Sequence, residues 1–163
     1  MPPQKNDSIW MDYPFEFTAI ADEVILDRTP IAGEPNGRHW GGYAGLSIRF
    51  NKDFMNPEII SSFSEDNDLH GTTGDWLYMG FKGLDGNRIG SLIMICEDIK
   101  REDEAWYVTS NSVIPFYFIN PGYLILKPKT LKKGESITLK YRILHMEGEF
   151  TKEELIHGAE LLQ

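Results

Sequence analysis

The chain has 163 residues, of which 41% are hydrophobic and 25% are charged, and its formal net charge is −9. This profile is typical of one folded, water-soluble domain and excludes a disordered chain. Binding to a phosphate backbone depends on lysine and arginine, so the acidic balance argues against nucleic acid as a partner. The longest apolar runs, 89–96 and 113–119, are too short to cross a bilayer, so we expect no membrane partner.

The first twelve residues contain two prolines and several polar side chains, but no apolar core of a signal peptide. We therefore predict a flexible lead-in over 1–12, a single domain over 13–163 and, by default, a cytoplasmic location. Cys96 is the only cysteine, which excludes an intrachain disulfide and a zinc site built from thiolates. Its place at the end of the apolar run LIMIC predicts a buried, unreactive thiol.

Short segments that favour β-structure alternate with turn residues along the whole chain. About nine strands at this spacing predict an all-β fold, an antiparallel β-sandwich. The predicted strands cover 15–20, 23–28, 43–50, 76–83, 88–96, 105–110, 114–119, 123–128 and 135–146.

Three segments carry the most specific local signals. Asp85-Gly86 lies between two apolar runs, and this pair supplies the positive φ angles of a tight hairpin turn. In the last predicted strand apolar and polar residues alternate, which places one face on the core and directs Arg142 away from it. Thr151 and Glu154 have the spacing of a capping box, so 151–163 is predicted to form a short C-terminal helix.

Motifs for metals and nucleotides do not occur in the sequence. The four histidines lack the close spacing of metal-binding motifs, so no metal or other cofactor is predicted. The glycines of GGYAG (41–45) lead into a strand and so do not fit a phosphate-binding loop. Acidic residues cluster at 65–68 and 97–104. Paired carboxylates can serve glycoside hydrolysis, but loops of mixed charge are more often solvated surface, and we favour that interpretation.

Aromatic and cationic side chains are the more informative feature. Sugars present both apolar C–H faces and hydroxyl groups, so a sugar site combines an aromatic platform with polar groups such as arginine. The set consists of Trp40 beside His39, Arg49, Trp76, Trp106 with Tyr107, and Arg142 with His145 and Glu147. Core positions are the alternative for Trp76 and Trp106, and surface ion pairs are the alternative for the arginines. The candidate ligand-binding residues chosen from this set are Arg49, Trp76, Trp106, Arg142 and His145.

Four longer segments also occur in a recognisable order and spacing. They are GGYAGLSIRF (41–50), GDWLYMGFKGLDGNRIGSLIMI (74–95), WYVTSNSVIPFYFINPGYL (106–124) and LKKGESITLKYRILHMEGE (131–149). Together they resemble PmoA-like proteins, a family of soluble β-sandwich proteins named after a methane oxygenase subunit. Members often lie beside sugar-processing genes, so the resemblance implies a function related to carbohydrate. It implies no oxygenase activity, because no copper-site residues can be recognised here.

Members of that family are longer than this chain. Their N-terminal half carries a segment of the form His-Pro-His-His-Arg, which is missing here. The resemblance therefore implies that this chain corresponds to the C-terminal half, with the five candidate residues above as pocket positions. Half a sandwich would leave a sheet face or edge uncovered, so we predict a homodimer or a partner subunit.

Three functions follow as hypotheses. The leading one is a carbohydrate-binding or carbohydrate-processing accessory domain that takes a sugar-like small molecule. The second is an enzyme of the glycoside hydrolase or sugar epimerase type, in which His145 or Glu147 acts as general base while Arg49 holds an oxyanion or hydroxyl group. The third is a structural or assembly subunit without catalysis.

Overall fold

The computed structural model describes residues 8–62, 69–96, 104–111, 113 and 115–160. Within these ranges the chain forms ten β-strands, which pair antiparallel, and one short C-terminal helix, so the predicted all-β class is confirmed. The elements are β1 (Ile9–Thr18), β2 (Glu23–Leu26), β3 (Ile48–Arg49), β4 (Met55–Ser61), β5 (Trp76–Lys82), β6 (Arg88–Ile95), β7 (Ala105–Asn111), β8 (Phe116–Gly122), β9 (Lys129–Lys132), β10 (Ser136–Glu147) and α1 (Lys152–Glu160).

The larger sheet has five strands in the order β1-β10-β6-β5-β4. Strands β5 and β6 form the hairpin predicted from Asp85-Gly86. The N–H of Gly83 donates to the carbonyl oxygen of Asn87 at 2.7 Å, and Gly86 has a φ of 88°. This left-handed conformation is what glycine supplies without steric cost, so the turn sequence and the turn geometry agree.

A smaller sheet, in the order β3-β8-β7, packs against the larger one, and β2 and β9 form a separate two-stranded ribbon. Side chains alternate between the two faces of a strand, so each sheet turns one face inward. The inward faces share a hydrophobic core, to which the larger sheet contributes Phe81, Ile93 and Tyr141, and the smaller sheet contributes Trp106 and Ile119.

A second core lies on the outer face of the larger sheet, beneath α1. The helix buries Leu155 and Ala159 there. The predicted capping box is present: the N–H of Thr151 donates to Glu154 Oε2 at 2.9 Å, and the N–H of Glu154 donates to Thr151 Oγ1 at 3.2 Å. Such a cap stabilises a helix by about 1 kcal/mol. No helix among the described residues is long and apolar enough to span a membrane.

Tyr78 lies across two glycines of neighbouring strands in this second core. A Cβ atom on Gly90 would come within 2.3 Å of the Tyr78 hydroxyl oxygen, and one on Gly80 would come within 2.5 Å. The absence of a side chain at both positions is therefore what lets the ring lie flat on the sheet. Burial raises the pKa of Tyr78 to about 12.

The folded region begins earlier than predicted. Strand β1 starts at Ile9, pairs Ile9 with His145 and Asp12 with Arg142, and packs Met11 against the core between the sheets. The predicted lead-in over 1–12 is therefore wrong for residues 9–12, because alternate apolar side chains in this segment continue the pattern of the strand. Residues 1–7 lie outside the described part of the chain.

Several predicted strands also differ from the observed ones. The strand predicted over 123–128 is wrong, because the N–H of Ile125 donates to the Gly122 carbonyl at 3.2 Å in a turn. Of the strand predicted over 43–50, only Ile48–Arg49 joins a sheet. No strand is predicted where β4 and β9 form, since β4 contains Pro57 and β9 is largely polar. Cys96 is partly exposed and not fully buried, because it lies just beyond the end of β6.

Candidate ligand groove

The outer face of the smaller sheet carries an unusual number of aromatic side chains. In β8, Tyr117 and Ile119 point into the core, so Phe116 and Phe118 point outward. Arg49 of β3 pairs with Phe118 and therefore lies on the same outer face. Strand β8 therefore carries large apolar side chains on both of its faces, although the hydrophobic core covers only one of them.

Residues 27–47, here called the strap, cross this outer face and cover part of it. Two backbone hydrogen bonds close the strap on itself, from Thr29 N–H to the Tyr43 carbonyl at 3.2 Å and from Gly42 N–H to the Thr29 carbonyl at 2.8 Å. A Cβ atom on Gly41 would lie 1.8 Å from the Pro30 carbonyl oxygen, so only glycine allows this close approach. The strap is thus a defined structure, although none of its residues belongs to a β-strand of a sheet.

Asn120 joins the strap to β8. Its side chain is fully buried, accepts the N–H of Ala44 at 3.1 Å and donates to the Ala44 carbonyl at 2.9 Å. The same amide nitrogen also donates to the Leu46 carbonyl and lies 3.5 Å from Ser47 Oγ. One buried amide therefore makes, with the backbone groups of the strap, the hydrogen bonds that a neighbouring β-strand would make in a sheet.

An ion pair fixes the other end of the strap. The Arg28 guanidinium donates to both carboxylate oxygens of Glu34 at 2.9 Å, and Glu34 also accepts the N–H of Ile31 at 2.9 Å. Arg28 Nε donates further to the Ile125 carbonyl at 3.2 Å. The hydrogen bonds from Arg28 and from the Ile31 backbone together lower the pKa of Glu34 to about 2.

A groove of about 520 Å³ lies between the strap and the outer face of the smaller sheet. At its rim the Trp40 side chain is 61% exposed, and the Trp40 carbonyl accepts the hydroxyl of buried Tyr107 at 3.0 Å. Its walls are almost entirely apolar. The lining residues are Trp40, Tyr43, Ser47, Arg49, Tyr107, Phe116 and Phe118.

Three rings of this groove, here called the ring triad, hold one another edge to face. The ring centres of Tyr43 and Tyr107 are 5.9 Å apart, those of Tyr43 and Phe118 are 5.7 Å apart, and those of Tyr107 and Phe118 are 5.7 Å apart. The interplanar angles of 76°, 68° and 90° are those that aromatic quadrupoles favour. The aromatic wall is therefore ordered before any ligand arrives.

Arg49 is the one charged residue among the described side chains that line the groove. Its guanidinium carbon lies 4.8 Å from the centre of the Phe116 ring. Within the described part of the chain Arg49 has neither an ion pair nor a hydrogen-bond acceptor. The guanidinium is thus within cation–π distance of the ring, and its N–H groups have no described acceptor.

A second, apolar cleft of about 450 Å³ adjoins the groove and shares Tyr43 and Ser47 with it. Behind this cleft, the buried Tyr141 hydroxyl has no hydrogen-bond partner among the described residues. Burial, followed by the negative charge of Glu104, raises the pKa of Tyr141 above its usual range. Glu104 itself is only 2% exposed, so the solvated surface predicted for 97–104 is wrong at this residue. Residues 97–103 and the acidic residues 65–68 lie outside the described ranges.

The two candidate tryptophans are core residues. Trp106 is fully buried between the sheets, where its Nε1–H donates to the Gly74 carbonyl at 3.0 Å. Trp76 is 4% exposed and belongs to the second core, on the opposite face of the larger sheet. A ligand reaches neither ring, so the prediction that these tryptophans line a groove is wrong.

The remaining candidates are also separated from the groove. Arg142 lies on the outer face of the larger sheet, as predicted, and pairs with Asp12 at 2.6 and 3.1 Å. His145 lies on β10, where its Nδ1 is 3.2 Å from Ser91 Oγ, and Glu147 is exposed near the end of the same strand. The predicted convergence of five residues is therefore wrong. Arg49 alone lines the aromatic groove.

The chosen candidates omit most of the side chains that form the groove, although the wider aromatic set found in the sequence contains Trp40 and Tyr107. Trp40 lies between the glycines of Asn36-Gly37 and Gly41-Gly42, a context typical of an exposed loop, whereas Trp76 and Trp106 lie in strands. That difference could have identified Trp40 as the accessible tryptophan. The apolar residues on both faces of β8 are a second available signal. Among the described residues no group of His, Cys, Asp or Glu could hold a metal ion.

Comparison with known proteins gives one match. The model of a family of unknown function, DUF6807, matches residues 2–159. No curated protein and no solved structure matches the chain. The family match does not bear on the PmoA-like resemblance, on carbohydrate binding or on the predicted homodimer or partner subunit, and these stay predictions.

Proposed function

Because this chain belongs to the DUF6807 family, whose function is unknown, we propose a function from its own groove: it is a carbohydrate-binding accessory domain. The observation that carries the proposal is an exposed tryptophan, Trp40, standing at the rim of an ordered aromatic wall beside an arginine. A ring wall alone would suit many apolar groups. The combination of this aromatic wall with the exposed Trp40 indole and the N–H groups of Arg49 favours a sugar.

The shape of the groove supports this proposal. A pyranose ring is flat enough to stack its C–H face on an indole, and it presents hydroxyl groups at its rim. Trp40 and the ring triad supply apolar faces, while Ser47 and Arg49 supply polar groups. A volume of about 520 Å³ is within the range of small-molecule sites and accommodates a short oligosaccharide.

The preorganisation of the groove also favours binding. A site whose walls must be ordered by the ligand loses affinity to that ordering. Here the ring triad is locked by edge-to-face contacts, and Asn120 and the Arg28–Glu34 pair hold the strap in place. The exposed Trp40 side chain, at the rim, retains freedom to adjust to a ligand.

Catalysis by the residues named in the enzyme hypothesis lacks support. His145 and Glu147 lie on β10 of the larger sheet, whereas Arg49 lies on the outer face of the smaller sheet. The described lining of the groove contains neither an acidic residue nor a histidine. A general base and Arg49 therefore cannot act on one ligand in the arrangement that the hypothesis required.

The test is titration calorimetry of the full chain against a panel of neutral and acidic oligosaccharides at concentrations up to millimolar. We expect at least one to bind and Trp40→Ala to weaken it about tenfold, the effect of losing one stacking contact. Trp10→Ala is the matched control, because Trp10 is 36% exposed but lies on β1 of the other sheet.

Two results would contradict the proposal. One is that no oligosaccharide binds at millimolar concentration. The other is that Trp10→Ala weakens binding as much as Trp40→Ala does, which would place the site on the larger sheet. Circular dichroism of both variants establishes that each is folded, as expected for substitutions at exposed side chains.

A further inference from the structure

Arg49 narrows the class of ligand. Building on the proposed carbohydrate site, we propose that the ligand is an acidic saccharide, whose anionic group binds the Arg49 guanidinium while a sugar ring stacks on Trp40. The shared chemistry is an anion carried on a sugar, either the carboxylate of a uronic acid or a sulfate ester.

Arg49 differs from three other arginines of the fold, whereas Arg38, on the strap, also has no carboxylate partner among the described residues but does not line the groove. Arg28 binds Glu34, Arg88 binds Glu58 and Arg142 binds Asp12. Acidic residues outnumber basic ones by 25 to 16 in this chain, so carboxylate partners are plentiful. Arg49 nevertheless faces aromatic rings, and within the described residues it has no carboxylate partner.

Arg49 also lies against aromatic rings. The planar donor edge of a guanidinium matches the two oxygens of a carboxylate or sulfate. The guanidinium carbon lies 4.8 Å from the centre of the Phe116 ring, and Phe116 in turn stacks on Phe118 with ring centres 5.8 Å apart. Arg49 is thus within cation–π distance of an aromatic pair and lines the groove.

Arg49 is exposed, so an anion reaches its guanidinium without displacing buried side chains, and water weakens the attraction between the two charges. The net charge of −9 works against an acidic ligand at long range. At about 0.15 M salt this repulsion is screened beyond roughly 8 Å, whereas direct contact with Arg49 is retained.

The experiment compares α-1,4-linked trisaccharides that share their ring configuration and differ in the group at carbon 6: galactotriose, trigalacturonate and galactotriose sulfated at O6. Each is titrated at 0.15 M salt into the wild type, Arg49→Gln, Arg49→Lys and the control Arg142→Gln. We expect at least one acidic ligand to bind about tenfold more tightly than the neutral one, and Arg49→Gln to remove that preference. Arg49→Lys retains part of it, because lysine keeps the charge but loses the bidentate edge.

The outcomes separate this inference from the proposed function. Preference for the carboxylate or for the sulfate identifies the anion. Equal binding of neutral and acidic ligands, or an acidic preference that persists in Arg49→Gln, overturns the inference while carbohydrate binding stands. Loss of the acidic preference in Arg142→Gln also overturns it. If no saccharide binds in the wider panel, the proposed function fails and the inference fails with it.

Discussion

Replacing Asn120 by aspartate tests whether one amide holds the strap on the sheet. The substitution keeps size and shape but removes the Nδ2 donor, which serves the carbonyl groups of Ala44 and Leu46. Two lost hydrogen bonds at about 1 kcal/mol each, together with carbonyl groups left facing an acceptor, predict a loss of about 3 kcal/mol at neutral pH. For a domain of this size that loss corresponds to about 6–12 °C in melting temperature.

The same variant should acquire a characteristic pH dependence. Burial, opposed by the one remaining donor, the Ala44 N–H, raises the folded-state pKa of the new carboxyl group above its unfolded value of about 3.9, so the folded state binds the extra proton. Stability relative to the wild type is then greatest below about pH 4, where the protonated group donates to a carbonyl, and it falls as pH rises through the raised pKa. Thermal unfolding followed by near-UV circular dichroism between pH 4 and 8 measures this difference.

Asn51→Asp is the matched control, because it adds the same charge at an exposed position. The Asn51 side-chain oxygen accepts the N–H of Asp53 at 3.0 Å, and aspartate retains that oxygen. We expect a change within about 0.5 kcal/mol. If Asn120→Asp melts within 2 °C of this control at pH 7, or loses stability relative to the wild type on acidification, Asn120 does not anchor the strap in the way inferred here.

Three further predictions concern stability. Tyr141→Phe should be neutral or stabilise the protein by about 1 kcal/mol, because the hydroxyl it removes is buried and has no described partner. Gly90→Ala should cost about 1–3 kcal/mol, since its Cβ would meet Tyr78 at 2.3 Å. Glu34→Gln should flatten the pH dependence of stability in acid. With a pKa lowered from 4.5 to about 2 by Arg28, Glu34 stabilises the fold above pH 4.5 and loses that effect as pH falls toward 2.

Urea unfolding measures all three, with Gly158→Ala as the counterpart of Gly90→Ala. Apart from the backbone of the helix itself and the two neighbouring residues, no atom of the described residues lies within 4 Å of the Cβ position at Gly158, so alanine there should stabilise the helix by about 1 kcal/mol. If alanine lowers the free energy of unfolding at Gly90 and raises it at Gly158, the close packing assigned to Tyr78 is supported. Equal changes at the two positions would refute it. A loss above about 1 kcal/mol in Tyr141→Phe would show a partner for its hydroxyl. An unchanged acid profile in Glu34→Gln would show that the ion pair does not stabilise the strap.

Local signals predicted much of the fold. The Asp85-Gly86 turn and the Thr151–Glu154 capping box act over a few residues, so the sequence specifies them directly. Alternation along β10 also placed Arg142 on the correct face. Strand β9 is polar, by contrast, and its place depends on pairing with β2, more than 100 residues earlier in the chain. No local pattern reports such a partner.

The candidate site was harder to predict for a related reason. Period-two alternation shows that a strand has two faces, but it does not show which face another layer covers. Trp76 and Trp106 are both tryptophans in predicted strands. Helix α1 covers Trp76, whereas the core between the two sheets encloses Trp106. Arg142 forms an ion pair with Asp12, which is 130 residues away in the chain, whereas Arg49 lies against the aromatic ring of Phe116. The difference between a paired and an available arginine arises only in three dimensions.

The central claim is that carbohydrate binds at Trp40. The chain has four tryptophans, so a proton–nitrogen NMR spectrum of the labelled protein contains four indole signals that can be assigned by substitution. A bound oligosaccharide should shift the Trp40 signal strongly and leave those of Trp10, Trp76 and Trp106 nearly unchanged. A titration that saturates while the Trp40 signal stays in place, or that shifts Trp10 instead, would contradict it.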